Sequence, residues 1–306
     1  MSNLHIPVLL NETLNVLNVR PDGIYVDCTA GRGGHSAEII KRIKTGKLVC
    51  IDNDADSIAY IKEKFKNENR VIIVKDNFAN LSRILQTLRI TKVDGILLDL
   101  GASSPMYDNL GRGFSYHHDA KLDMRFDQTQ KVDALYVINN YTAAQLNTIF
   151  INFGEIKFPY RTTKAIIAAR TEKPITTTKE LVDLIKKNLA WKILKKEQHP
   201  ARKYFQAIRM EVNQELNNLK NVLSQIPPLV NYLGTVAVIT FHSLEDRIVK
   251  SAFTNWTTDH TPKEVPIMFS KSVFNLITRK PITASKEELA NNPRSRSAKL
   301  RGVIKN

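Results

Sequence analysis

A rhythm constrains the fold of this chain more than any other feature. Four short apolar runs, Ile24–Cys28, Leu48–Asp52, Val71–Val74 and Gly95–Asp99, recur at intervals of roughly 25 residues, with helix-patterned sequence between them. That interval is the repeat of a β-α-β unit. Runs that are apolar at successive positions leave no solvent face, so they belong in a parallel sheet covered by helices on both sides. Asp27, Asp52 and Asp99 stand at the ends of the first, second and fourth runs. In an open parallel sheet the carboxyl ends of the strands border the ligand crevice, so these acids are expected in one place.

After Asp99 the rhythm breaks. The next strong strand pattern is Thr235–Phe241, and the chain between is far longer than the ~10–15 residues of a simple crossover helix. Helical patterning covers 132–139, 142–153, 164–171 and 178–189, the last opened by Thr177 and Glu180 at capping-box spacing. Phe205, Ile208, Val212, Leu216, Leu219 and Leu223 fall on one helical face, predicting a core-packing helix ahead of the fifth strand. The runs 274–278 and 298–304 are expected to add a final antiparallel pair. The fold class is therefore α/β: a Rossmann-like sheet domain, residues 1–104 and 206–306, interrupted by an all-helical domain over 105–205.

The loop Asp27-Cys28-Thr29-Ala30-Gly31-Arg32-Gly33-Gly34-His35 follows a strand and precedes a helix. Glycine is needed where backbone turns tightly and approaches a ligand closely. Asp52 ends the second strand, where a carboxylate can accept hydrogen bonds from ribose hydroxyls. A dinucleotide fold wants G-x-G-x-x-G, and here Ser36 takes the third glycine place. Pyrophosphate would also be repelled by Asp27, Asp52 and Asp99, with Asp76 nearby. S-adenosylmethionine carries a sulfonium and an ammonium and no phosphate, and it suits such a pocket better. Phe78 follows Asp76-Asn77 at the end of the third strand, where an aromatic ring can pack on adenine, although a single Phe more often serves a core.

Charge points to the partner. Lys+Arg 45 against Asp+Glu 30 gives a net +15, yet residues 1–100 hold 14 basic and 12 acidic side chains. The stretch 186–203 holds 7 basic and 1 acidic, and 278–306 holds 8 basic and 2 acidic. A uniform lysine bias would spread evenly, whereas two concentrated windows read as a footprint for a polyanion such as RNA. Only Cys28 and Cys50 are present, both within apolar runs, so reduced buried thiols are expected rather than a disulfide framework or a metal site. His117-His118 have no further ligands at suitable spacing. No run approaches the ~18 apolar residues that span a bilayer, and no signal-peptide pattern opens the chain. A cytoplasmic protein without membrane attachment is expected.

With these residues assembled, the chain resembles the ribosomal RNA small subunit methyltransferase H family, also called MraW. The resemblance rests on His5–Leu10, Asp27–Ser36, Asp99–Pro105, Arg112-Gly113-Phe114-Ser115, Leu122-Asp123-Met124-Arg125, Phe205–Arg209, Phe241–Arg247 and Asn292–Arg301. It implies a methyltransferase core with an inserted helical, substrate-recognising domain. It further implies S-adenosyl-L-methionine as cofactor and N4-methylation of a cytidine in the decoding region of 16S rRNA within the small ribosomal subunit. Carried over by position, the cofactor contacts are Gly33, Gly34, His35, Asp52, Phe78, Asp99 and Met106. Met106 stands where the family commonly has glutamine, and a thioether cannot replace an amide's hydrogen bonds. Pro159-Tyr160 interrupts a stretch that reads as continuous helix in relatives, which places Pro159 near a helix start.

For the chemistry, an exocyclic amine is a poor nucleophile that needs alignment and hydrogen-bond acceptors for its N–H groups. Ser104-Pro105-Met106-Tyr107 loosely resembles the acceptor-proline-aromatic pattern of amino-methyltransferases. Ser104 is thus the candidate acceptor and Tyr107 a candidate stacking partner, against the plainer reading of a loop that shapes the pocket. His242 is a candidate proton acceptor or base contact, and equally the backbone-bonded start of a helix. A DNA amino-methyltransferase, a non-catalytic ribosome-assembly factor and a nicotinamide dehydrogenase are the competing readings. Monomer and homodimer both stay open.

Overall fold

The computed structural model describes residues 6–189, 194, 199–259 and 272–306, without the side chain of Ser104. Two compact units emerge, Met1–Gly101 with Leu216–Asn306, and Ala102–Glu215.

The first unit is built on a seven-stranded sheet of β1 (Ile24–Asp27), β2 (Lys47–Asp52), β3 (Val71–Lys75), β4 (Val93–Asp99), β5 (Val230–Thr240), β6 (Phe274–Leu276) and β7 (Lys299–Lys305), in the order β3-β2-β1-β4-β5-β7-β6. β1 to β5 run parallel, and β7 lies antiparallel between β5 and β6. Alternate residues of each strand feed different cores, because successive side chains leave opposite faces. Val26, Val49, Ile51, Ile96, Leu98, Val236 and Val238 enter one. Tyr25, Leu48, Cys50, Leu97, Ala237 and Ile239 enter the other.

Helices cover both faces. α1 (Leu10–Leu17), α2 (Gly34–Arg42) and α3 (Ala55–Lys64) add Leu14, Leu17, Ile39 and Ile61 on the Tyr25 side. α4 (Leu81–Thr87) and the helices Glu215–Leu229 and Ser243–Thr257 add Ile84, Leu85, Leu219, Leu223, Val249 and Phe253 on the Val26 side. Each such side chain contributes roughly 1.5–3 kcal/mol by leaving water. Cys28 and Cys50 are buried and unbridged. Strand order reverses between β1 and β4, which opens the crevice where doubly wound sheets bind ligands.

The second unit is helical. α5 (Ser104–Asp108), α6 (Ala134–Asn140), α7 (Ala143–Asn152), α8 (Tyr160–Glu172), α9 (Thr178–Asn188) and α10 (Arg202–Val212) surround a core that includes Ile138, Leu146, Phe150, Ile166, Leu181, Ile185, Tyr204 and Ile208. The Thr177–Glu180 capping box forms, and Thr142 with Gln145 makes a second. Pro159 is the N-cap of α8, so its missing N–H costs no helical bond. Before α6, the chain loops around Arg112, a buried side chain that donates to the carbonyls of Arg125 (2.9 Å) and Phe126 (3.0 Å). Asp123 holds Arg125 beside it at 2.6 Å. Gly113, next in the chain, adopts φ 70.

One sequence expectation fails. The helical face from Phe205 to Leu223 is not one helix but two, α10 and α11 (Glu215–Leu229). Gln214 turns left-handed at φ 50, and the Asn213 side chain donates to Met124 O at 2.7 Å and accepts from Phe126 N at 2.7 Å. Phe205, Ile208 and Val212 therefore serve the core of the second unit, while Leu219 and Leu223 serve that of the first. Apolar periodicity runs on through the break and conceals it.

Candidate functional site

Three carboxylates and the loop after β1 form the crevice. Asp27, the last residue of β1, is buried; its carboxylate accepts from Ser36 Oγ at 2.6 Å and from Thr29 N at 3.2 Å. Burial pushes it up to about 6 against the pull of those two bonds. Asp52, at the end of β2, accepts from Gly31 N at 2.7 Å and from Asp54 N at 2.8 Å. Burial raises it to about 6 as well, with the charges of Asp54 and Asp27 adding to the rise. Asp99, at the end of β4, is pushed well above the carboxylate range by burial and then by the charges of Asp27 and Glu245. Its Oδ2 lies 3.7 Å from His35 Nδ1, and its Oδ1 is buried with no hydrogen-bond partner among the described residues.

The loop conformation explains its glycines. Gly31 and Gly33 lie at φ 51 and 66, where a side chain would be strained. Gly33 donates to Ala30 O at 2.6 Å and starts α2 without a side-chain cap, a helix start with N–H groups to offer a ligand. Packing adds a second demand: a Cβ on Gly33 would stand 2.9 Å from the Phe65 ring, and one on Gly34 2.6 Å from Pro7. His35 is buried, with Nε2 3.0 Å from Val8 O, so one ring nitrogen is fixed by backbone and the other faces Asp99.

Two residues here escaped sequence reasoning. Thr29 accepts the Asp99 N–H at 2.6 Å, and Ser36 holds Asp27. Ser36 signals itself only as a departure from the dinucleotide pattern. Phe78 opens the 3-10 turn after β3 and is half-buried against the Val26-side core. Asp76 donates its N–H to Asp52 O at 3.1 Å, while its carboxylate takes Asn77 N, Asn80 Nδ2 and the Arg83 guanidinium.

His242 caps the helix Ser243–Thr257. Its Nδ1 accepts from Glu245 N at 3.3 Å, and its Nε2 lies 3.1 Å from Glu245 Oε1. Ser104 and Met106 belong to the second unit: Ser104 opens α5, and Met106 is buried in that unit's core. Tyr107 accepts from Arg209 at 2.8 Å. His117 lies in a ring cluster with Tyr116 and His199.

The basic windows divide in use. His5, Lys192, Lys195 and Lys196 lie outside the described residues. In the tail window, Lys299 (3.3 Å) and Arg301 (2.7 Å) pair with Asp246, and Lys305 Nζ bonds Pro227 O and Val230 O. Arg279, Lys280, Lys286, Arg294 and Arg296 are exposed. Among the described residues no helix is long and apolar enough to cross a membrane.

Chemically, the crevice concentrates one buried and two half-buried acids whose charged forms are disfavoured until a donor or a cation arrives, and the Asp99 oxygen is still to be satisfied. An anionic pyrophosphate meets repulsion there; a cation with hydroxyl donors fits.

Comparison with known proteins agrees with this chemistry. Residues 2–306 match the model of the MraW methylase family. A ribosomal RNA small subunit methyltransferase H of Ureaplasma parvum is 51% identical over 305 residues, 99% of each chain. The protein of the same description from Malacoplasma penetrans is 46% identical over 303 residues, covering 99% of this chain and 97% of that one. Another, from Oceanobacillus iheyensis, is 46% identical over 306 residues, covering 98% and 94%.

Proposed function

Because the chain belongs to the MraW methylase family, we propose that it methylates small-subunit ribosomal RNA with S-adenosylmethionine, at N4 of a cytidine in the decoding region. The single observation that carries the cofactor is the unsatisfied, buried Oδ1 of Asp99 among the acids at the strand ends. Bound, S-adenosylmethionine supplies an electrophilic methyl group on a sulfonium. On this reading Asp52 accepts the ribose hydroxyls, Asp99 faces the cationic end with His35 beside it, the Gly33–Gly34 helix start offers N–H donors, and Phe78 packs on the adenine. Met106 contributes an apolar surface in place of an amide. Ser104 is the proposed acceptor of the target amine's hydrogens. His242, whose Nδ1 accepts from Glu245 N while its buried Nε2 makes no hydrogen bond among the described residues, is the proposed contact to the target base.

The deciding experiment supplies labelled S-adenosylmethionine and small ribosomal subunits from a strain lacking the enzyme, followed by digestion to nucleosides. Label in N4-methylcytidine is the expected result, and label in any other nucleoside rejects the proposed position.

Affinity for the cofactor is expected to depend on pH. Asp52 titrates at about 6 in the free protein, against 3.8 for an ordinary Asp. Its sign follows from linkage: a raised carboxyl contributes stability that is full below about 4 and lost as pH rises through about 6. Ribose hydroxyls that donate to Asp52 bind its ionised form. Between pH 7 and pH 5 the affinity should therefore fall about tenfold, with a proton released on binding near pH 6. Calorimetry in two buffers of different ionisation heat reads both quantities, and a flat profile rejects the assignment of Asp52.

A further inference from the structure

The second unit carries an exposed basic-aromatic segment that no step above uses. Phe158 is 81% exposed and Tyr160 57%, on either side of buried Pro159. Large aromatic side chains gain nothing by facing water, and here two do so within three residues. Lys157, Arg161 and Lys164 stand exposed around them, and no described carboxylate lies within ion-pair distance of any of the three. Glu155 is the nearest acid in the chain.

The segment is held firmly at its base. Gln206 Nε2 donates to Phe153 O at 3.0 Å and Lys203 Nζ to Glu155 O at 3.2 Å. Gly154 runs so close to α10 that a Cβ there would stand 2.9 Å from Lys203 O. On the other side, Tyr204 OH donates to Thr162 Oγ1 at 3.0 Å, and Thr163 Oγ1 donates to Asn147 Oδ1 at 2.7 Å. These contacts also bring Lys203, the end of the first basic window, onto Glu155, three residues before Phe158.

We propose that Lys157, Phe158, Tyr160, Arg161, Lys164 and Lys203 form a surface that holds single-stranded RNA, with bases stacking on the two rings and phosphates meeting the cations. The inference rests on the reading above that the substrate is RNA. Chemistry favours a nucleic acid over a protein partner: five aromatic and basic side chains of 157–164 with Lys203, against the single nearby acid Glu155, match a phosphate chain. Exposed rings separated by one residue offer stacking faces to successive unpaired bases. A duplex would keep its bases stacked inside and leave the rings without partners.

The test measures binding of a fluorescent single-stranded RNA oligonucleotide to the full chain by anisotropy. Phe158→Ala with Tyr160→Ala is expected to weaken binding about 10- to 100-fold, while Phe158→Trp with Tyr160→Phe keeps it. Affinity for S-adenosylmethionine should not change in either variant, which serves as the check on folding. Unchanged RNA binding in the double alanine variant overturns the surface, even where the wild type methylates rRNA. An equal loss toward a polyglutamate peptide also overturns it, because stacking would then not be the cause. A wild type that binds RNA through the two rings yet transfers no methyl group to rRNA supports the surface and rejects the proposed reaction.

Discussion

Asp52→Ala is expected to weaken S-adenosylmethionine binding by about two orders of magnitude. The carboxylate has two tasks. It accepts from Gly31 N and Asp54 N, which fixes the loop after β1 against the end of β2. It also presents the acceptors proposed for the ribose. Hydrogen bonds to a charged group are worth about 1.5–3 kcal/mol each, and about 1.4 kcal/mol is a factor of ten. Loss of two to the ligand, partly offset because burying a charge is no longer needed, gives roughly 100-fold. Asp52→Asn retains one acceptor and should cost closer to tenfold. Calorimetric titration of the folded variants decides the matter; near wild-type affinity in Asp52→Ala would show that the ribose binds elsewhere.

The largest effect on stability is expected from Gly113→Ala. Two penalties coincide at this residue. Its φ of 70 is left-handed, where a Cβ costs roughly 1–2 kcal/mol. The added carbon would also overlap the Lys121 carbonyl oxygen and stand 2.9 Å from Asp123 N. Both are backbone atoms of the segment that carries Asp123 and Arg125, so neither can swing aside as a side chain would. Moving that segment disturbs the buried Arg112, which depends on the carbonyls of Arg125 and Phe126. A loss of at least about 3 kcal/mol follows, in the range of core disruption. Urea unfolding followed by a fluorophore in the second unit measures it, and a loss under about 1 kcal/mol would mean that the loop relaxes freely.

Much of this was legible in the sequence, and the reason is geometric. Continuous apolar runs at β-α-β spacing fix a parallel sheet, and a parallel sheet gathers its strand ends, so the sequence alone brings Asp27, Asp52 and Asp99 together. Capping boxes and a helix-starting proline are local, and Thr177, Glu180 and Pro159 behave as local rules require. What stayed hidden depends on contacts distant in the chain. Asn213 breaks a helix by bonding Met124 and Phe126, which lie 87 to 89 positions away. Asp246 recruits Lys299 and Arg301 from a tail that looks, in one dimension, like uniform free charge. The roles of Thr29 and Ser36 appear only once the strand ends are side by side.

The position of β7 in the sheet carries a consequence for the moment at which the molecule becomes functional. The last strand of the chain lies between β5 and β6 and not at an edge. The segment before it, through Glu288 and Asn292, also holds Leu9 N at 2.8 Å and Ile6 O at 3.1 Å near the other terminus. Until β7 is made and docked, β5 is unpaired on one side and the segment around Ile6 and Leu9 is unfastened. Completion of the sheet thus waits for residues 299–305. A polypeptide cut short before Lys299, whether by premature stop or by proteolysis, exposes a raw sheet edge to aggregation and to quality-control proteases.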